Sequence, residues 1–145
     1  MQPAEIMITG GSLGSVGAAT AVDAGSAALL SEIASLLERV AAGGEPGHIE
    51  LSGPRFSPQD RARLLQGLGP GEVLIRLQAQ GESTIRETAV QGVWWHEHRD
   101  LRGNLIAAFL EVACVPAILP VDAEQLRRGA ERLRSDLQAV SKTVD

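Results

Sequence analysis

Between Glu72 and Val115 the chain carries four successive strand-like runs joined by short polar breaks, and this succession restricts the fold more than any other stretch. From Glu72 to Gln80 the residues alternate, with Val73, Ile75, Leu77 and Ala79 on one side and Arg76, Gln78 and Gln80 on the other. That period of two belongs to a half-buried strand. Thr84 to Thr88 alternates β-formers with charged residues, and Val93 to Arg99 and Leu105 to Val115 follow as two further extended runs. Parallel neighbours need a long crossover between them, and none of these breaks is long enough, so the runs are expected to pair as an antiparallel meander. The polar segment from Arg99 to Asn104, with Gly103 near its end, suits a hairpin loop of about 3–5 residues. Pro116 has no N–H to give a ladder and is expected to stop the last strand.

The flanks of the meander carry helical signals. Leu29, Leu30, Ile33, Leu36, Leu37 and Val40 recur at helical spacing over Ser26 to Ala42, and Gly43-Gly44 stops that helix. His48 to Leu51 makes a short first strand, on which His48 reads as an outward polar position. Ser57-Pro58-Gln59-Asp60 places a serine at the N-cap, a proline at the first helical position and an acid at the third, opening a helix to about Gln66. Leu64, Leu65 and Leu68 are its buried residues. Asp122-Ala123-Glu124-Gln125 forms a capping box ahead of a last helix with Leu126, Ala130, Leu133 and Leu137 down one side and an arginine-rich solvated side. The order α-β-α-β-β-β-β-α is that of an α+β fold, a mainly antiparallel sheet of about five strands with helices packed on one face. Strand one, entered and left through helices, has either an edge or a parallel position open to it.

Residues 1–24 mix Gly, Ser and Ala without a sustained period and are expected to be flexible, ahead of a single domain over 25–141 and a frayed tail at 142–145. Thr9 to Gly17 has the look of a glycine-rich phosphate loop. Its spacing matches neither GxGxxG nor GxxxxGK[ST], and no repeated βαβ unit follows it.

Composition narrows the function classes. A length of 145 residues fits one domain. The net charge is −5 and the basic residues are spread out, so no surface for a phosphate backbone is expected and nucleic acid is excluded as a partner. One cysteine, Cys114, cannot form an internal disulfide, and there is no Cys/His array with zinc spacing, which makes the cytoplasm the default setting. The first residues lack the basic start and apolar core of a secretory signal, and no apolar run approaches the roughly 20 residues of a membrane span.

Candidate chemistry gathers on the third run of the meander. In an extended strand Trp94, His96 and His98 point one way, while Val93, Trp95, Glu97 and Arg99 point the other. His96 and His98 are therefore able to share a metal ion, with Cys114, Glu111 and Glu87 as further donors. Cys114 falls in phase with Ile106, Ala108, Leu110 and Val112, the more apolar face of the last strand, which predicts its burial. Two consecutive tryptophans cannot both enter the same helix-covered core. One of them, with Trp94 favoured, is expected on the other side among Arg76, Glu87, Glu111 and Phe109. There it either rests on aliphatic stems or centres a contact surface, which includes self-association through an open sheet edge. No Ser/His/Asp set, HExxH or catalytic carboxylate pair is present, so no enzyme and no cofactor is expected.

The sequence order Ile85-Arg86-Glu87-Thr88, then Gly92-Val93-Trp94-Trp95, then His98, a hairpin, and Phe109 to Leu119 with Glu111 and Pro116, resembles the C-terminal conserved region of the HupH/HyaF family of hydrogenase expression/formation proteins. The likeness extends from about Leu29 through the terminal helix. It implies a non-catalytic, chaperone-like accessory role in maturing a [NiFe]-hydrogenase, by binding a hydrogenase subunit precursor or another maturation protein. The aromatic-centred sheet face, with Trp94, Trp95, Phe109, Glu87, Glu111 and Arg76, is the expected partner surface. The alternative is a metal- or redox-handling module using His96, His98 and Cys114. A homo-oligomer is compatible with either.

Overall fold

Short connections force the meander to pair neighbour with neighbour, and the computed structural model, which describes residues 5–8 and 24–143, has that pairing throughout. Strands β3 (Pro70–Gln78), β4 (Glu82–Thr88), β5 (Val93–Arg99) and β6 (Leu105–Val112) lie side by side and antiparallel. The β3–β4 turn closes tightly at Gly81, whose φ is +127°. A Cβ there would come within 2.1 Å of the Arg99 carbonyl oxygen, so only glycine fits where the start of β4 runs against the end of β5. In the β5–β6 loop the Asp100 carboxylate accepts from the Asn104 side-chain amide and from the backbone N–H groups of Arg102 and Asn104. Those bonds, the Asn104 side chain first, hold its carboxyl below the usual range.

Two short strands close the sheet. β1 (Glu5–Ile8) pairs antiparallel with β3, and β2 (Gly47–Glu50) pairs antiparallel with β6, giving the order β1-β3-β4-β5-β6-β2. Strand β2 thus takes the edge position, and its pairing is not parallel. The sheet has six strands where about five were expected, the addition being Glu5–Ile8 inside the segment expected to be flexible. Four residues are too few to display a period, yet they are enough to satisfy the free edge of β3. Residues 1–4 and 9–23, including the glycine-rich 9–17 stretch, lie outside the described residues.

Helices α1 (Ala24–Ala41) and α2 (Pro58–Leu68) supply a layer on one face of the sheet. The start of α2 is fixed by a capping box: Ser57 Oγ accepts from the Asp60 N–H at 3.1 Å, and Asp60 Oδ2 accepts from the Ser57 N–H at 2.8 Å. Ile33, Leu64 and Leu68 pack with Ile49, Leu51, Val93, Trp95, Ala108, Leu110 and Val112 into the main core. Burying side chains of this size is worth roughly 1.5–3 kcal/mol each, which makes this layer the chief source of stability.

The described residues fall into two compact units, one up to Cys114 and one from Val115 on. The second holds α3 (Ala123–Thr143), opened by the expected box in which Asp122 Oδ1 accepts from the Gln125 N–H at 2.7 Å and Gln125 Oε1 from the Asp122 N–H at 2.8 Å. No side chain of α3 is buried. None of the described helices is long and apolar enough to cross a membrane.

Candidate functional site

Register decides which side chains share a face. On the side of the sheet away from α1 and α2, one cross-strand row runs His48, Glu111, Trp94, Glu87, and the next runs Glu50, Phe109, His96, Ile85, Ile75. A third row holds His98 beside Ser83 and Ala107. Trp95 belongs to the opposite side, in the helix-covered core.

The two indoles therefore do go to opposite faces, as an extended strand requires. Neither is exposed: Trp94 retains 8% of its surface and Trp95 1%. The Trp94 N–H donates to the Ala113 carbonyl at 3.0 Å, tying β5 to the residue just past β6, and the Trp95 N–H donates to Glu97 Oε1 at 3.0 Å. Of the two settings open to the Trp94 ring, resting within the fold or centring a contact surface, it is found buried, its polar handle bonded to a carbonyl within the fold. Arg76 is also displaced from the group. It lies opposite Thr84, which in turn lies opposite Glu97, so it points to the Trp95 side of the sheet and is exposed.

The half-buried aromatic on the Trp94 side is Phe109. Its ring stacks on His96 with centroids 4.3 Å apart and planes inclined by 15°, and His48 tilts against it at 5.9 Å and 50°. Glu111, 2% exposed, sits between the two imidazoles: Oε2 is 2.8 Å from His96 Nε2 and Oε1 is 3.9 Å from His48 Nε2. The shorter contact sets the carboxylate charge directly against the His96 ring nitrogen. Burial pulls the His96 imidazole below its ordinary value, and the Glu111 carboxylate opposes that pull without overcoming it. A neutral imidazole and a phenyl ring stacked over an enclosed carboxylate form a rigid platform. Sequence reasoning left His48 out of this group because nothing local announces that β2 will lie against β6.

His96 and His98 share a face, as expected, but each has its own partner, Glu111 for the first and Ser83 Oγ at 2.8 Å for the second. Cys114 lies past the end of β6 and is exposed, where burial was expected. The strand stops at Val112, the Ala113 N–H bonds the Gly92 carbonyl, and the chain bends before the alternation reaches Cys114. Among the described residues no three His, Cys, Asp or Glu side chains are grouped to hold a metal ion, so the set His96, His98 and Cys114 is not assembled as such a centre. A cavity of about 560 Å³ opens where α2 gives way to β3. Leu65, Pro70, Val73 and Leu74 line it, with Glu72, Arg86 and Glu87 as its charged groups.

Comparison with known proteins places this geometry in context. Residues 24–140 match the family described as HupH hydrogenase expression protein, C-terminal conserved region. The hydrogenase expression/formation protein HoxQ of Azotobacter vinelandii is 34% identical over 95 residues, 66% of this chain and 34% of that protein. The hydrogenase expression/formation protein HupH of Rhizobium leguminosarum bv. viciae is 30% identical over 115 residues, 79% of this chain and 40% of that protein. The hydrogenase-1 operon protein HyaF of Escherichia coli K12 is 33% identical over 101 residues, 69% of this chain and 35% of that protein. This chain therefore spans between 34% and 40% of the length of these curated relatives. The solved structure of the hydrogenase expression protein HupH from Thiobacillus denitrificans ATCC 25259 superposes with a TM-score of 0.73 at 36% identity, covering 80% of this chain and 98% of that one.

Proposed function

Because the chain belongs to the family of HupH hydrogenase expression proteins, through the C-terminal conserved region at residues 24–140, we propose that it acts as a non-catalytic, chaperone-like factor in [NiFe]-hydrogenase maturation. It binds a hydrogenase subunit precursor or another maturation protein. The docking platform is the sheet side away from α1 and α2, centred on Phe109 and His48 at the β6–β2 edge. Trp94, Glu111 and His96 form the rigid floor beneath.

The observation that carries this reading is the Phe109 ring, held between two imidazoles and left half-buried. An aromatic side chain fixed in one orientation loses little entropy on contact, which suits a binding hot spot. Glu50 and Glu87 lie in the same rows and give the platform an acidic rim. The absence of a second cysteine fits work in the reducing cytoplasm.

Co-purification with tagged hydrogenase subunit precursors tests the platform. Phe109→Ala combined with His48→Ala is expected to lose the precursor while keeping the native circular dichroism spectrum and melting profile. A folded double variant that recovers the precursor as well as the unchanged protein would rule this surface out.

A further inference from the structure

Ala123, Leu126, Ala130, Leu133, Leu137 and Val140 follow one another along α3 at steps of 3, 4, 3, 4 and 3 residues. That is the 3.5-residue period in which the a and d positions of a coiled coil alternate, with Ala123, Ala130 and Leu137 at a and Leu126, Leu133 and Val140 at d. Helix α1 is different. Its apolar residues come as adjacent pairs, Leu29-Leu30 and Leu36-Leu37, which widen the stripe, and it packs on the sheet. A wide stripe fits a flat layer, whereas a seam only a and d wide fits the groove of another helix. The large members of the seam are uncovered: Leu126 is 62% exposed, Leu133 65%, Leu137 67% and Val140 64%.

The flanking charges say which helix fits. At the e positions stand Arg127 and Arg134; at the g positions stand Asp122, whose Oδ1 caps α3, then Gly129 and Asp136. In a parallel pair each g residue faces the e residue five places on in its partner. Asp122 then meets Arg127, Gly129 meets Arg134, and Asp136 meets Ser141, with no like charges opposed. An antiparallel pair would set Arg127 against Arg134.

We infer that α3 is a self-association element through which a second copy of this chain pairs in parallel along the Ala123–Val140 seam. The occupant is another copy because the seam is complementary to itself, apolar ladder to apolar ladder and acidic g flank to basic e flank. Two and a half heptads make a short interface, so the dimer is reversible and its population rises with concentration. This is independent of the docking platform on the sheet.

Sedimentation velocity of the full chain across a dilution series tests it. The unchanged protein is expected to show a monomer–dimer equilibrium, and Leu133→Glu with Leu137→Glu to stay monomeric. Arg127→Glu, which alters an exposed side chain and leaves the seam intact, should weaken dimerisation roughly tenfold by setting Glu against Asp122 of the partner. In a Cys114→Ser background, Val140→Cys should oxidise to a cross-linked dimer, since parallel register brings the two d positions together. A chain that stays monomeric at every concentration, a dimer untouched by the seam variants, or a dimer in which the Val140→Cys thiols remain reduced would each overturn the inference. Should the double Glu variant prove unfolded by circular dichroism, the Arg127→Glu and Val140→Cys results decide.

Discussion

Trp94 and Trp95 are chain neighbours whose rings never meet, and each is fixed by a different kind of partner. Trp94 is a floor tile bonded to the Ala113 carbonyl, while Trp95 is packed among aliphatic core residues. Trp94→Ala is expected to cost about 3–5 kcal/mol in urea unfolding. Trp94→Phe, which keeps a ring but leaves the Ala113 oxygen without its donor, should cost about 1–3 kcal/mol. A Trp94→Phe variant as stable as the unchanged protein would mean that the hydrogen bond adds nothing. His96 carries a pH dependence. Its folded value lies below the 6.5 of the free side chain, chiefly through burial, with Glu111 opposing the shift and His48 adding slightly to it. Above that ordinary value both states are neutral and its stabilising contribution is intact. As pH falls through the ordinary value toward the lower folded one, only the unfolded chain takes up the proton and stability is lost. Urea midpoints at pH 7.5 and 5.5 should thus diverge in the unchanged protein and diverge less in His96→Gln; an equal divergence would remove His96 as the titrating group. The split of the tryptophans was legible because strand geometry dictates it. The pairing of Glu111 with two imidazoles was not, because it arises between strands distant in sequence.

Elements whose signals are local came out of the sequence nearly intact. The Ser57-Pro58-Asp60 and Asp122-Gln125 caps formed as their spacing specified, and the four runs of the meander paired in order. Ser57→Ala should therefore lower stability by about 1 kcal/mol, with Ser57→Asp restoring most of it; no change on the alanine substitution would show that Asp60 and Pro58 alone suffice to start α2. Elements whose signals depend on distant partners were misjudged. Glu5–Ile8 is a strand only because β3 offers it an edge, and Cys114 escapes burial because the Gly92 carbonyl captures the Ala113 N–H and ends the alternation early. Arg76 was assigned to the wrong side of the sheet for a related reason. The count along β3 holds, but its apolar Ile75 face lies with Ile85 and His96 away from the helices, which turns Arg76 to the Trp95 side.

At the scale of the whole molecule, the family and the α+β class could be anticipated, while the placing of the outer strands of the sheet could not, since no stretch of sequence states where its partner will be. Protection against amide hydrogen exchange should follow the layering. Strands β5 and β6, each bonded on both sides and backed by the core, are expected to exchange slowest, and α3, with no buried side chain, fastest at low protein concentration. Slow exchange in α3 at high dilution would contradict its exposure. The outer strands carry a further consequence for how the chain is made. β1 waits for Val73–Arg76, and β2 waits for Phe109–Val112, so each end of the sheet is completed by a segment synthesised long before its mate. A ribosome that has released α1, β2 and α2 has released helices with sticky faces and nothing to lay them on. Until residue 112 has cleared the exit tunnel, the nascent polypeptide carries apolar helix faces that its own sheet cannot yet cover.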